Sequence, residues 1–178
     1  LTAKITIGAT QTVEFRLTSG TYNIGNGFSV TNTSRLQSFA IVGATDRSAV
    51  SIRCTDITTD VFYLYRFATV VFRNVTIHTG KYGLYIREAN VIRIENCMFY
   101  KLGSSTSPSI HNFSNTQAQQ AAHWSGSSTS NGGAMRLQDS NRVLINDNYV
   151  WRTLRDIRVQ NIKHTMNYLK QPIHQEIW

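Results

Sequence analysis

Charge is scarce in this chain. Asp, Glu, Lys and Arg make up 16% of its 178 residues, where about 25% is usual for a soluble domain. Proline occurs only twice, and cysteine only at Cys54 and Cys97. Those two cysteines lack metal-ligand spacing; one disulfide remains open, but two core thiols are the expectation. No apolar run approaches the ~18 residues of a membrane span. No run of four Lys or Arg occurs. A nucleic-acid partner is therefore not expected, although the net charge is +8 and the pI about 9.8. A basic balance of this kind suits an anionic partner such as an acidic polysaccharide, or simply a solvated surface. No signal-peptide pattern is visible, and the chain opens on Leu1 rather than Met, so it is read as part of a longer chain.

Asn, Ser, Thr and β-branched residues are abundant instead, which favours strands joined by polar turns. They recur with a period. Four pentads align: FYLYR at 62–66, LYIRE at 84–88, MRLQD at 135–139 and IRVQN at 157–161. Their spacings are 22, 51 and 22 residues, and the 51 is one 22-residue unit plus an insertion of 29 at 104–132. A second set keeps the same register: VVFRN at 70–74, IRIEN at 92–96 and VLIND at 143–147, with FAIVG at 39–43 as a looser member.

Positions 1 and 3 of each pentad are apolar and share one face of a strand. The second strand points Val70/Phe72, Ile92/Ile94 and Val143/Ile145 the same way. A short third strand carries Val75/Ile77, Cys97/Phe99 and Ile52/Cys54. Helical repeats would place apolar residues at i, i+3 and i+4, whereas strict alternation is seen here. The expected fold is all-β: a right-handed single-stranded parallel β-helix with three short strands per rung and a repeat of about 22 residues. It forms a single domain over 1–178, with rungs over about 12–161 and an irregular segment at 162–178. Asn74 and Asn96, with Asp147 next in line, fall just after the second strand, where stacked amides can bond from rung to rung.

Several stretches resemble the pectate-lyase-like β-helix superfamily, phage tailspike and tail-fibre proteins above all. TVEFRLTSGTYNI at 12–24 is similar to that family's opening strand and turn. GFSV at 27–30 and FAIVGATDRSAVSI at 39–52 resemble its early rungs. YGLYIREANVIRIENCMF at 82–99 resembles its standard rung. The likeness spans roughly residues 12–161. It implies the fold far more sharply than the activity, because lyases, hydrolases, epimerases and inert spikes share it. It also implies a substrate groove along the first-strand sheet and a homotrimeric assembly in a virion or outside the cell.

Positions 2 and 4 of the pentads face solvent. They hold Tyr63, Tyr85, Arg136 and Arg158 in one column and Tyr65, Arg87, Gln138 and Gln160 in the next. Aromatic rings offer flat platforms, arginine a planar fork for acidic groups, and glutamine a partner for hydroxyls. This face is the expected contact for a surface polysaccharide, with Trp124 of the insertion as a wall beside it. The bland reading is an ordinary exposed β-face. At the fifth position Glu88 and Asp139 lie on adjacent rungs. They are the candidate catalytic pair should the chain cleave glycans as a hydrolase; the alternative is a surface salt-bridge ladder with Arg66. A lyase-type calcium site is not expected, because Asp56, Asp60, Glu95 and Asp156 fall on different turns. No metal or cofactor is expected. His111 and His123 of the insertion are too isolated for a metal site. Val71 and Leu144, outward on the second strand, are the apolar residues that could meet a neighbouring copy. A virion or cell-surface β-helix that serves assembly alone is the third reading.

Overall fold

A computed structural model describes residues 11–103, 132–153 and 157–168. The first described strand is of the second type, and three strands complete each turn of the coil. They are Thr12–Arg16 (β1), Gly20–Asn23 (β2) and Phe28–Thr31 (β3), then Ser38–Val42 (β4), Val50–Arg53 (β5) and Phe62–Tyr65 (β6). Thr69–Arg73 (β7), Thr76–Gly80 (β8) and Tyr82–Arg87 (β9) follow, then Val91–Glu95 (β10), Met98–Leu102 (β11) and Gly133–Gln138 (β12). The last turns hold Arg142–Asn146 (β13), Tyr149–Thr153 (β14), Ile157–Gln160 (β15) and His164–Tyr168 (β16).

Every pairing is parallel and joins equivalent strands of successive turns, which makes three sheets. The first-strand sheet runs β3-β6-β9-β12-β15, the second-strand sheet β1-β4-β7-β10-β13-β16 and the third-strand sheet β2-β5-β8-β11-β14. The pentads pair as the sequence spacing requires, with Phe62 opposite Leu84, Leu84 opposite Met135 and Met135 opposite Ile157. The insertion therefore adds chain without shifting the register.

Alternation decides what the coil encloses. Phe39, Val70, Ile92 and Val143 form one inward column, and Ile41, Phe72, Ile94 and Ile145 the next; all are buried. Leu64, Ile86 and Leu137 close the first-strand side, and Ile52, Ile77 and Phe99 the third. Aromatic contacts concentrate at the early end, where the Phe62 and Phe72 rings lie 5.0 Å apart. Cys54 and Cys97 are free, buried thiols.

The corners are held by residues in the left-handed conformation. Arg66, Glu88, Asp139 and Asn161 follow the first-strand sheet with φ of 63, 55, 53 and 53°. Asn74, Asn96 and Asp147 follow the second with φ of 56, 49 and 51°. Asn and Asp tolerate this region best, because their short polar side chains bond locally. Asn96 Nδ2 donates to Asn74 Oδ1 at 2.9 Å, so these two amides do form a ladder. One rung later the link changes hands. The buried Asn148 accepts from the Cys97 amide at 2.9 Å and donates to the Ile94 carbonyl at 2.7 Å.

The coil continues past the expected end at 161. β16 pairs with β13, and the positions in register with the inward Val143 and Ile145 are Thr165 and Asn167. Met166 and Tyr168, expected near inward positions, fall opposite Leu144 and Asn146. Polar residues stand in register with both inward positions of β13, so the alternation that betrays a strand is absent from the sequence there.

Candidate functional site

The outer face of the first-strand sheet gathers most of the predicted contact residues. Tyr63, Tyr85 and Arg136 form one column, and Tyr65, Arg87, Gln138 and Gln160 the next. All seven are half-buried. Arg158 follows Arg136 in backbone register, but its side chain lies outside the described residues, as does Trp124 with its whole insertion; His111 and His123 are outside them too. Val71 and Leu144, the expected contacts with a neighbouring copy, are half-buried on the second-strand sheet.

Rings and guanidinium groups alternate across this face. The Tyr63 and Tyr85 rings meet edge to face at 5.1 Å. Arg136 Cζ lies 4.7 Å from the Tyr85 ring centroid, and Arg66 and Arg87 flank Tyr65 at 4.8 and 5.5 Å. Such contacts hold an arginine fork flat while leaving its N–H edge available. The Tyr85 hydroxyl donates to Gln138 Oε1 at 3.3 Å. Arg87 Nε and Arg136 Nε are buried and find no acceptor among the described residues.

Glu88 and Asp139 stand on successive turns at the downstream edge, where the Glu88 amide donates to the Gln138 carbonyl at 3.0 Å. Glu88 is densely paired. It accepts from Arg66 Nε at 3.0 Å, from the Tyr65 hydroxyl at 3.0 Å and from Arg35 Nη2 at 3.4 Å. The Arg66 bond, helped by those of Tyr65 and Arg35, holds its carboxyl below the usual range. A group so held stays ionised at neutral pH and is poorly suited to donate a proton. Asp139 accepts from Asn161 Nδ2 at 2.8 Å and lies 3.9 Å from Arg87. Arg35 reaches this edge from the connection between β3 and β4, a contact that no sequence spacing announces.

The upstream edge holds two residues that sequence reasoning did not place here, Asp60 and Tyr82. Alternation would send Tyr82 inward with Leu84. A Cβ on Gly83, however, would meet Leu102 Cδ1 and Phe99 Cδ1 at 2.9 Å, so Gly83 faces the core. Tyr82 is thereby turned to the outer side, with its ring 6.1 Å from that of Tyr85. The Val61 amide, next to Asp60, donates to the Tyr82 carbonyl at 2.7 Å. Burial raises the pKa of Asp60, and the charges of Lys81 and Arg136 offset part of that rise. The signal available in the sequence was Gly83 itself, directly before a pentad, where a strand has no reason to spend a residue without a side chain.

Among the described residues, no three His, Cys, Asp or Glu side chains converge as a metal site. No helix there is long and apolar enough to cross a membrane. The family model described as right handed beta helix region matches residues 55–169. No curated protein and no solved structure gave a significant match.

Proposed function

The chain belongs to the right-handed β-helix family, and from that premise we propose that it binds an extended surface glycan along the first-strand sheet. The observation that carries this reading is the half-buried strip of Tyr63, Tyr65 and Tyr85 rings flanked by the Arg66, Arg87 and Arg136 guanidinium groups. Arg87 suits a carboxylate or sulfate, the rings suit the apolar faces of sugars, and Gln138 and Gln160 suit hydroxyls. The net charge of +8 favours the approach of an acidic polymer. The resemblance to phage tailspikes and tail fibres makes a virion or other extracellular setting, and assembly as a homotrimer, part of the same proposal.

An array of immobilised polysaccharides, including alginate and polygalacturonate, tests this with the full chain. Binding to acidic polymers is expected, weakened by salt and by about tenfold in Arg87→Ala, the usual scale of one lost charge-assisted hydrogen bond. No binding by the wild type overturns the reading. Cleavage of a bound glycan would favour the hydrolase alternative. Loss of that cleavage in Glu88→Gln or Asp139→Asn would assign it to the pair.

A further inference from the structure

We propose that Ser51 and His78, on the outer face of the third-strand sheet, form a nucleophile and base pair that hydrolyses small acyl esters such as O-acetyl esters. The pair lies on a different sheet from the strip of tyrosines and arginines, so it does not rest on the glycan reading.

β5 and β8 pair with Ser51 opposite Thr76 and Arg53 opposite His78. Ser51 is therefore the diagonal neighbour of His78 on one face. Ser51 Oγ lies 2.9 Å from His78 Nε2, and Thr79 Oγ1 lies 2.9 Å from His78 Nδ1. One tautomer serves both contacts: Nδ1–H donates to Thr79, and Nε2 accepts from the Ser51 hydroxyl. The Tyr100 ring stacks on the imidazole at 4.5 Å and fixes its plane. The imidazole is only 9% exposed, whereas Ser51 is half-buried and Arg53 exposed, so a substrate approaches from the serine side. Thr79 has φ of 58°, a region that β-branched residues rarely enter. Lys101, its equivalent on the next turn, has φ of 52°, so the left-handed turn belongs to the rung. Particular to Thr79 is a strained, β-branched side chain whose hydroxyl orients the base.

Acyl transfer needs a nucleophile bonded to a base, and a base held by a third group. Burial, then the charges of Arg53 and Lys101, keep His78 neutral at neutral pH, so Nε2 can take a proton. Ser51 Oγ attacks the ester carbonyl carbon, and its proton passes to Nε2. The ester C–O bond breaks, and the leaving oxygen takes that proton to become an alcohol. Water then attacks the acyl carbon on Ser51 and gives its proton to Nε2. The bond to Oγ breaks, Oγ recovers the proton, and the carboxylic acid departs. Each tetrahedral intermediate carries a negative oxygen. Arg53, whose Nε donates to Asn23 Oδ1, stands beside His78 to meet that charge. β2, β5, β8 and β11 carry no carboxylate to oppose it. A base held this low is a weak one, so turnover is expected to be slow.

The test treats the full chain with a fluorophosphonate probe, which labels serines activated by a base, and maps the adduct by peptide mass spectrometry. Hydrolysis of p-nitrophenyl acetate reads turnover. Labelling at Ser51 and slow release of p-nitrophenol are expected in the wild type, and neither in Ser51→Ala. His78→Gln keeps a hydrogen-bonding side chain but no base, and should label about a hundredfold more slowly. Thr79→Ser keeps the hydroxyl on Nδ1 and should label like wild type. Thr79→Val keeps the shape without the hydroxyl and should label about tenfold more slowly, the scale of one lost hydrogen bond. No label at Ser51 in the wild type, or labelling as fast in His78→Gln, overturns the pair. Label without release of p-nitrophenol overturns the hydrolysis. Equal labelling in the two Thr79 variants removes Thr79 as the positioning residue. Labelling needs no glycan, so this pair and the glycan reading fail separately.

Discussion

Single residues set the shape of each corner. Nine non-glycine residues adopt positive φ among the described residues, seven of them at the ends of first- and second-strand elements. Each such conformation costs about 1–2 kcal/mol for a residue with a Cβ, so the rungs must over-determine it. The Asn96–Asn74 bond and the buried Asn148 show how: an amide bonded to the next turn offsets part of the cost. On the third-strand face His78 makes a comparable link. Its Nε2 lies 2.9 Å from Ser51 Oγ, its Nδ1 2.9 Å from Thr79 Oγ1, and its ring stacks on Tyr100 at 4.5 Å. Burial, then the charges of Arg53 and Lys101, lower its pKa to about 4. Between the unfolded value of about 6.5 and that folded value, the unfolded chain takes up a proton that the folded chain refuses. Stability is therefore full above that window and falls as pH drops through it, by at most about 1.4 kcal/mol per pH unit. Urea melts from pH 7 to 5 should show the slope in wild type and a shallower one in His78→Gln. Equal slopes would remove His78 as its source.

Elements are placed by close approach between turns. A Cβ on Gly43 would stand 2.1 Å from the Asn74 carbonyl oxygen, and one on Gly83 2.7 Å from that of Ala134. Backbone cannot yield as a side chain can, so both glycines fix how tightly successive turns stack. Gly83→Ala is expected to lose about 1–3 kcal/mol, the usual cost of overpacking, and to disturb Tyr82 next to it. Chemical denaturation would measure the loss; a variant as stable as wild type would mean that β9 and β12 can part freely. Long connections also act as straps. Arg47, on a short 3-10 turn between β4 and β5, donates to the Asp147 carbonyl at 2.9 Å, a hundred residues further on. Arg35 reaches Glu88 in the same manner at the corner that follows the first-strand sheet.

At the scale of the molecule, each turn contacts its neighbours along one axis. Stability then follows from the turns themselves and the interfaces between them. The middle turns, β7 to β12, carry inward residues of near-zero exposure, whereas the strands of the first turn alternate only between exposed and half-buried. Amide hydrogen exchange is expected to be slowest in β7, β9 and β10 and faster in β1 to β3. Uniform protection along the coil would contradict a one-dimensional stack.

The alternation and the 22-residue period were enough to place the pentads, their inward columns and the outer Tyr/Arg/Gln face, because both are short-range properties of a strand. The Asn74–Asn96 ladder was legible too, since its residues keep the same period. The sequence by itself thus determined that this chain coils into stacked β-turns, and which residues each strand shows to the outside. Only the tertiary structure decided the rest. Gly83 took a place facing the core, and Tyr82 lies beside the outer Tyr85 ring against its alternation. Asp60 came beside Tyr82 through the Val61–Tyr82 backbone bond, Arg35 crossed turns to Glu88, and β16 took its register from β13. These outcomes depend on contacts between residues far apart in the chain and on the room left between turns, which a pattern along one strand does not encode.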